Sequence, residues 1–254
     1  MKSAAQYAVL CLFVLAAQGA CTIHKPVPLD EGFWHDTQPV VGVVLAAVPD
    51  PEVSVKIFST TPFARSRTLI MSHRYDQDFD AEPSILTDQR RLWHYLSSHE
   101  TGALAGLKDV FTQGLASRGF HAAEVEGSLD EDLLPRYTPP SSGYARNDYR
   151  ALVQAGEFDL LIVLHIRKYG SYCGYLDQRN ISTGIMAAVE AMMVDTATNR
   201  ILWQNAHRIS RQCRNASSGC DAPGTYGEIL RELDSVLAQA AQILADDLFS
   251  GAPK

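Results

Sequence analysis

The stretch Phe158–Ser210, FDLLIVLHIRKYGSYCGYLDQRNISTGIMAAVEAMMVDTATNRILWQNAHRIS, decides where the rest of the chain is placed. Leu160, Ile162, Leu164 and Ile166 alternate with Leu161, Val163, His165 and Arg167, so one face is aliphatic throughout and the other turns polar at its far end. That is a strand covered on one side and half covered on the other. Tyr169-Gly170, Cys173-Gly174 and Asp177 to Asn180 carry turn residues, and a second extended run follows from Ile181 to Val194. A polar connection, Asp195 to Arg200, leads to a third run, Ile201 to Ile209. Both connections are too short for a crossover helix, which predicts an antiparallel meander. The Ala, Met and Glu content of Ile185 to Met193 also suits a helix, but the flanking turn signals favour the hairpin.

Symmetric closure of the second hairpin pairs Val194 with Ile201, Met192 with Trp203, Glu190 with Asn205 and Ala188 with His207. One face then carries Met186, Met192, Val194, Ile201, Trp203 and Ile209, with Met192 and Trp203 as the candidate surface for a partner.

Working outward, Val40 to Leu45 is a continuous β-branched run that predicts a central strand. Glu52–Phe58 and Arg67–Ser72 are further candidate strands. Ser84–Arg118 is helical with a break near Gly102 and Gly106, and Leu104, Leu107, Phe111 and Leu115 form its apolar stripe. Gly119 stops that helix and Phe120 to Val125 is a short strand. Asp130 to Tyr144, rich in Pro and Ser, is a surface loop, and Asp148 to Ala155 a short helix. Tyr226 to Leu248 regains helical spacing through Leu230, Leu233, Leu237, Ala240, Leu244 and Leu248. The expected fold is α/β (α+β): a two-layer sandwich whose mixed sheet ends in a three-stranded antiparallel meander packed on amphipathic helices.

The first residues have another job. Met1-Lys2 gives a positive start, Ala8 to Ala17 is uncharged and apolar, and small residues lead to Gly19-Ala20-Cys21. Residues 1–20 therefore read as a cleaved export signal, 21–38 as a tether containing Pro26 and Pro28, and 39–254 as a single domain. Gly19-Ala20-Cys21 resembles a bacterial lipobox, with Gln18 where Leu is usual, and implies lipidation of Cys21. Thr22 in the next position implies an outer-membrane address by the same resemblance. Ordinary cleavage after Gly19, giving a soluble periplasmic protein, is the competing reading. Loss of the signal and acylation of Cys21 leave Cys173, Cys213 and Cys220 as disulfide candidates in an oxidising compartment, with connectivity open.

A net charge of −7 without a basic cluster leaves no footprint for nucleic acid. Neither a phosphate-binding glycine motif nor a GxSxG elbow is present, and no cofactor is expected. Among eight histidines, only His165 and His207 are brought near a carboxylate, Glu190, by the expected pairing, a trio with zinc-ligand chemistry. Scattered polar residues on a half-exposed sheet face are the commoner meaning of such a set, so neither a metal nor a catalytic residue is assigned.

Gly156 to Val163, then a glycine-containing turn, then Val194-Asp195-Thr196-Ala197-Thr198-Asn199-Arg200-Ile201-Leu202-Trp203, with Arg118-Gly119-Phe120 upstream, resembles a pattern in bacterial envelope lipoproteins. These share a fold like the amino-terminal domain of TolB and include the curli secretion lipoprotein, polysaccharide-export lipoproteins and activators of peptidoglycan synthases. The resemblance implies a non-enzymatic protein anchored in the membrane by lipid, working as an accessory or scaffold with envelope proteins or with its own copies. The segment Glu52 to Asp80 is longer than that pattern allows, and no membrane-spanning hairpin is evident. A periplasmic metal-dependent hydrolase and a carrier of a small apolar ligand are the alternatives.

Overall fold

The computed structural model describes residues 25–36, 38–58, 67–71, 83–99, 101–153, 158–176, 179–212 and 226–250. The expected signal, Cys21, Cys213 and Cys220 lie outside them. The elements are α1 (Phe33–Asp36), β1 (Val40–Ala46), β2 (Glu52–Phe58), β3 (Arg67–Met71), α2 (Pro83–Ser98), α3 (Gly102–Ala116), β4 (His121–Leu129), α4 (Arg150–Val153), β5 (Leu160–Leu176), β6 (Arg179–Asp195), β7 (Ile201–Gln212) and α5 (Tyr226–Leu248). A 3₁₀ turn, Glu131–Leu133, follows β4.

One seven-stranded mixed sheet is packed against helices, as the apolar periodicities predict. β5 is its spine. Along one edge it pairs antiparallel with all of β6, which pairs antiparallel with β7. The other edge of β5 is shared: Leu160–Leu164 pairs with β1 and Gly170–Leu176 with β2, both parallel. β1 sits between β5 and β4, and β2 carries antiparallel β3. The expected central strand and meander are both present.

The meander carries three register shifts, and two of these β-bulges, at Arg167 and Leu202, change which face the expected residues occupy. Register shifts at Arg167, so β5 runs straight through Gly170 and Gly174 instead of turning there. Gly170 serves close approach: a Cβ there, where φ is +144°, would lie 1.9 Å from the Glu52 carbonyl oxygen of β2. Beyond the bulge the core-facing positions change from even to odd numbers, from Ile166 to Tyr169, Cys173 and Tyr175. A second bulge at Leu202 pairs Trp203 with Met193 and His207 with Val189, while Val194 still faces Ile201. Met192 and Trp203 therefore lie on opposite faces. Both are buried, and the apolar partner surface expected from them does not form.

The helix-covered face holds the main core. Its apolar positions come from alternate residues of β1, β2, β5 and β6, and from the stripe Ile229, Leu233, Val236, Leu237, Ala240 and Leu244 of α5. Full burial of such side chains stabilises by about 1.5–3 kcal/mol each. Trp203 joins this face and donates its indole N–H to Asp247 Oδ2 at 3.0 Å. Asp234 of α5 caps α3 by accepting from Ala103 N at 3.1 Å. Gly114 admits the Phe249 ring, which stands where a Cβ would lie 2.4 Å away.

The expected tether, 21–38, is in part domain. Val27 exchanges backbone hydrogen bonds of 2.9 Å with Gln204 on the outer edge of β7. Trp34 is 3% exposed between Phe120 and Phe249. An indole cannot stay solvated on a spacer when an aromatic slot lies within reach, and its N–H reaches the Leu248 carbonyl at 3.3 Å. Cys173 is disulfide-bonded. Among the described residues no helix is long and apolar enough to cross a membrane.

Candidate functional site

The opposite face of the sheet is covered by residues 130–153, which join the expected surface loop, Asp130 to Tyr144, to the start of the expected short helix. A pair of backbone contacts within it, Tyr137 N to Arg146 O and Asp148 N to Pro135 O, both 2.8 Å, closes it on itself. Asn199 fastens it down. This residue of the β6–β7 turn adopts φ +64°, a left-handed conformation that asparagine tolerates better than most residues. Its amide donates to the carbonyls of Ala145 and Asn147 at 3.2 and 3.0 Å, and its Oδ1 accepts from Tyr149 N at 3.0 Å. Asn199 is 0% exposed, and its bonds to Ala145 and Tyr149 are buried while that to Asn147 is partly buried. Asp195 shapes the same turn by accepting from Ala197 N at 2.8 Å and Thr198 N at 3.1 Å.

Between this cover and β5–β7 lies a polar cleft of about 330 Å³. His165 and Glu190 face each other across β5 and β6, as expected from the sequence. Each is already engaged. Glu131 Oε2 lies 2.9 Å from His165 Nε2, and Glu131 Oε1 accepts from the Tyr149 hydroxyl. Glu190, 2% exposed, accepts from Arg167 Nε at 2.7 Å and from Gln204 Nε2 at 2.5 Å. Burial pushes the Glu131 carboxyl up, but the His165 hydrogen bond and charge, with the Tyr149 hydroxyl and Arg167, outweigh it and hold the group at about 2. Burial and the Glu131 charge push the Tyr149 phenol well above its usual range.

His207 is absent from this constellation. The bulge at Leu202 turns it to the helix side opposite Val189, so the His165, Glu190 and His207 trio does not assemble. Among the described residues no three His, Cys, Asp or Glu side chains are grouped to hold a metal ion. The structure instead supplies Glu131, Arg136, Arg146, Asn147 and Tyr149 from the covering segment. Their only sequence signal was density of charge and aromatic rings in a segment that otherwise reads as loop. A shallower depression of about 730 Å³ lies beside Phe33, Pro39, Phe158 and Leu202, between α1 and the β6–β7 turn.

No family model matches the sequence, and no curated protein resembles it. Among solved structures, a Xanthomonas campestris protein of the DUF330 family is similar, 11% identical over 86% of this chain and 88% of that one, with a TM-score of 0.35. Lipoprotein GNA1162 from Neisseria meningitidis is 13% identical over 79% of this chain and 99% of that one, with a TM-score of 0.33. PelC from Paraburkholderia phytofirmans, a dodecamer, is 10% identical over 85% and 89%, with a TM-score of 0.34. Likeness at this distance carries neither a site nor an activity across.

Proposed function

We propose that this chain is an exported envelope lipoprotein, acylated at Cys21, that acts without catalysis as an accessory or scaffold for other envelope components or for its own copies. The observation that carries the non-catalytic part is the commitment of two carboxylates of the cleft, the buried Glu190 and the partly buried Glu131. Glu131 is held by His165 and Tyr149, and Glu190 by Arg167 and Gln204, and groups tied in such pairs are poorly placed to move protons for a substrate. With Trp203 in the core, the docking surface falls to a sheet edge. The outer edge of β7 suits it: beyond the Val27 bridge it pairs with no other described strand, and Arg208 and Ser210 are exposed.

Two measurements test the reading. Metabolic labelling with a palmitate analogue should mark the wild-type chain and not Cys21→Ala; an unlabelled wild type discards the anchor. Photo-crosslinking residues placed at 208 and 210 should trap one defined partner or a second copy in cells. A chain that stays monomeric and gives no adduct at either position removes the scaffold role.

A further inference from the structure

Polar groups left over in the cleft point to a ligand. His165 is 4% exposed and its Nε2 is engaged by Glu131, yet its Nδ1 is buried without a hydrogen-bond partner. Asn147 Oδ1 is buried and unpartnered in the same cleft. A buried polar atom without a partner costs about 1–3 kcal/mol, so two in one cleft mark a place where something else bonds.

Charge narrows the class. Arg136 and Arg146 line the cleft, and among the described residues neither guanidinium makes a hydrogen bond or ion pair. Against these two cations stands Asp132, the one lining carboxylate outside the His165 and Arg167 pairs, so the cleft holds more unpaired guanidinium than unpaired carboxylate. Planar guanidinium forks match a carboxylate or a phosphate, and with Asp132 in the same lining the singly charged carboxylate fits better. Asn147 Oδ1 accepts only, so the ligand must also donate. A hydroxyl suits His165 Nδ1 as well, since it can donate to a bare ring nitrogen or accept from a protonated one. At about 330 Å³ the cleft is at the small end of ligand pockets, roughly 300–1,000 Å³, and Tyr144 offers a ring beside the arginines.

We infer that this cleft binds a hydroxylated carboxylic acid of single sugar-ring size, its carboxylate on Arg136 and Arg146 and its hydroxyls on Asn147 Oδ1 and His165 Nδ1. The inference is independent of lipidation and of the β7 edge, since the cleft contains neither Cys21 nor Arg208 and Ser210. The test is calorimetric titration of the full-length protein with D-glucuronate, with D-glucose as the uncharged control. Saturable binding of glucuronate is expected, with glucose at least ~10-fold weaker. Arg136→Gln/Arg146→Gln, two exposed changes whose folding is checked by circular dichroism, should weaken glucuronate by ~10-fold or more. Asn147→Leu, which removes the acceptor and keeps the arginines, should weaken glucuronate but not acetate. Glucuronate that fails to saturate, glucose that binds equally well, or a double arginine variant that binds as the wild type does would each overturn the assignment.

Discussion

The two faces of the sheet are built on different principles. On the helix side, aliphatic residues of four strands meet the stripe of α5 and the faces of α2 and α3, and stability there comes from buried apolar area. On the other side, a smaller cluster containing Val44, Leu161, Val163, Tyr149 and Met192 adjoins a polar cleft, and an irregular segment is held on by directed hydrogen bonds. Non-directional burial tolerates variation, and the unpartnered atoms on that side, Thr101 Oγ1 and Arg118 Nε, sit at the two ends of α3 and not together in a cleft. A cover tied by a few hydrogen bonds can enclose polar groups at defined positions, which a binding site needs.

The largest effect should come from the helix side. Trp203→Ala removes a 2%-exposed indole and its bond to Asp247, and is expected to cost about 3–5 kcal/mol in urea unfolding followed by circular dichroism. A loss under about 1 kcal/mol would mean that Trp203 is not in the core, and the contrast between the faces would fall with it.

Asn199 probes the other side. Asn199→Ala strands two carbonyls and one N–H of the cover and puts a less tolerant residue at φ +64°, for an expected loss of about 3 kcal/mol. Asn199→Gly keeps the backbone conformation and loses the same bonds. If the hydrogen bonds hold the cover, both variants open residues 130–153 to hydrogen exchange. If only the turn geometry matters, Gly restores wild-type protection.

These two faces were unequally legible in the sequence. Alternation from Leu160 to Ile166 and the three- and four-residue spacing of α5 are local and regular, and they gave the sheet, the meander and the helical layer correctly. Both bulges defeated extrapolation, because an inserted residue changes parity without changing composition. At Arg167 the change to odd positions is visible in Tyr169, Cys173 and Tyr175, but Gly170 and Gly174 read as turns. At Leu202 nothing local marks it, and the shift moved Trp203 and His207 to the helix side. His165 opposite Glu190 was readable because it lies before the first bulge. Glu131, Arg136, Arg146 and Tyr149 were not, since an irregular segment has no period to project onto a distant strand.

Acid should separate the faces further. The folded Glu131 carboxyl is depressed from 4.5 to about 2, so it contributes stability above its unfolded value and loses it as pH falls from about 5 towards 2. The full shift would be worth about 3 kcal/mol, and partial exposure of the group discounts it to about 2. Glu131 still holds part of its contribution at pH 3, so unfolding free energies at pH 6 and pH 3 should differ less in Glu131→Gln than in the wild type by about 1 kcal/mol. An unchanged slope would show that Glu131 is free in solution and that the cover is not anchored through it.

The smallest effect returns to the helix side. Asp247 is exposed and accepts from Trp203 Nε1 at 3.0 Å and Asn205 Nδ2 at 2.9 Å, joining α5 to β7. Asp247→Ala leaves both donors near the surface, where water replaces the carboxylate, so the expected loss is about 1 kcal/mol. If the helix face rests on burial, Asp247→Ala combined with Trp203→Ala should cost little more than Trp203→Ala alone, because the indole no longer needs an acceptor. A double variant showing a full additive loss would mean that Asp247 holds α5 in place by itself. Stability on this face would then owe more to directed polar bonds, and the two sides of the sheet would differ less than their composition implies.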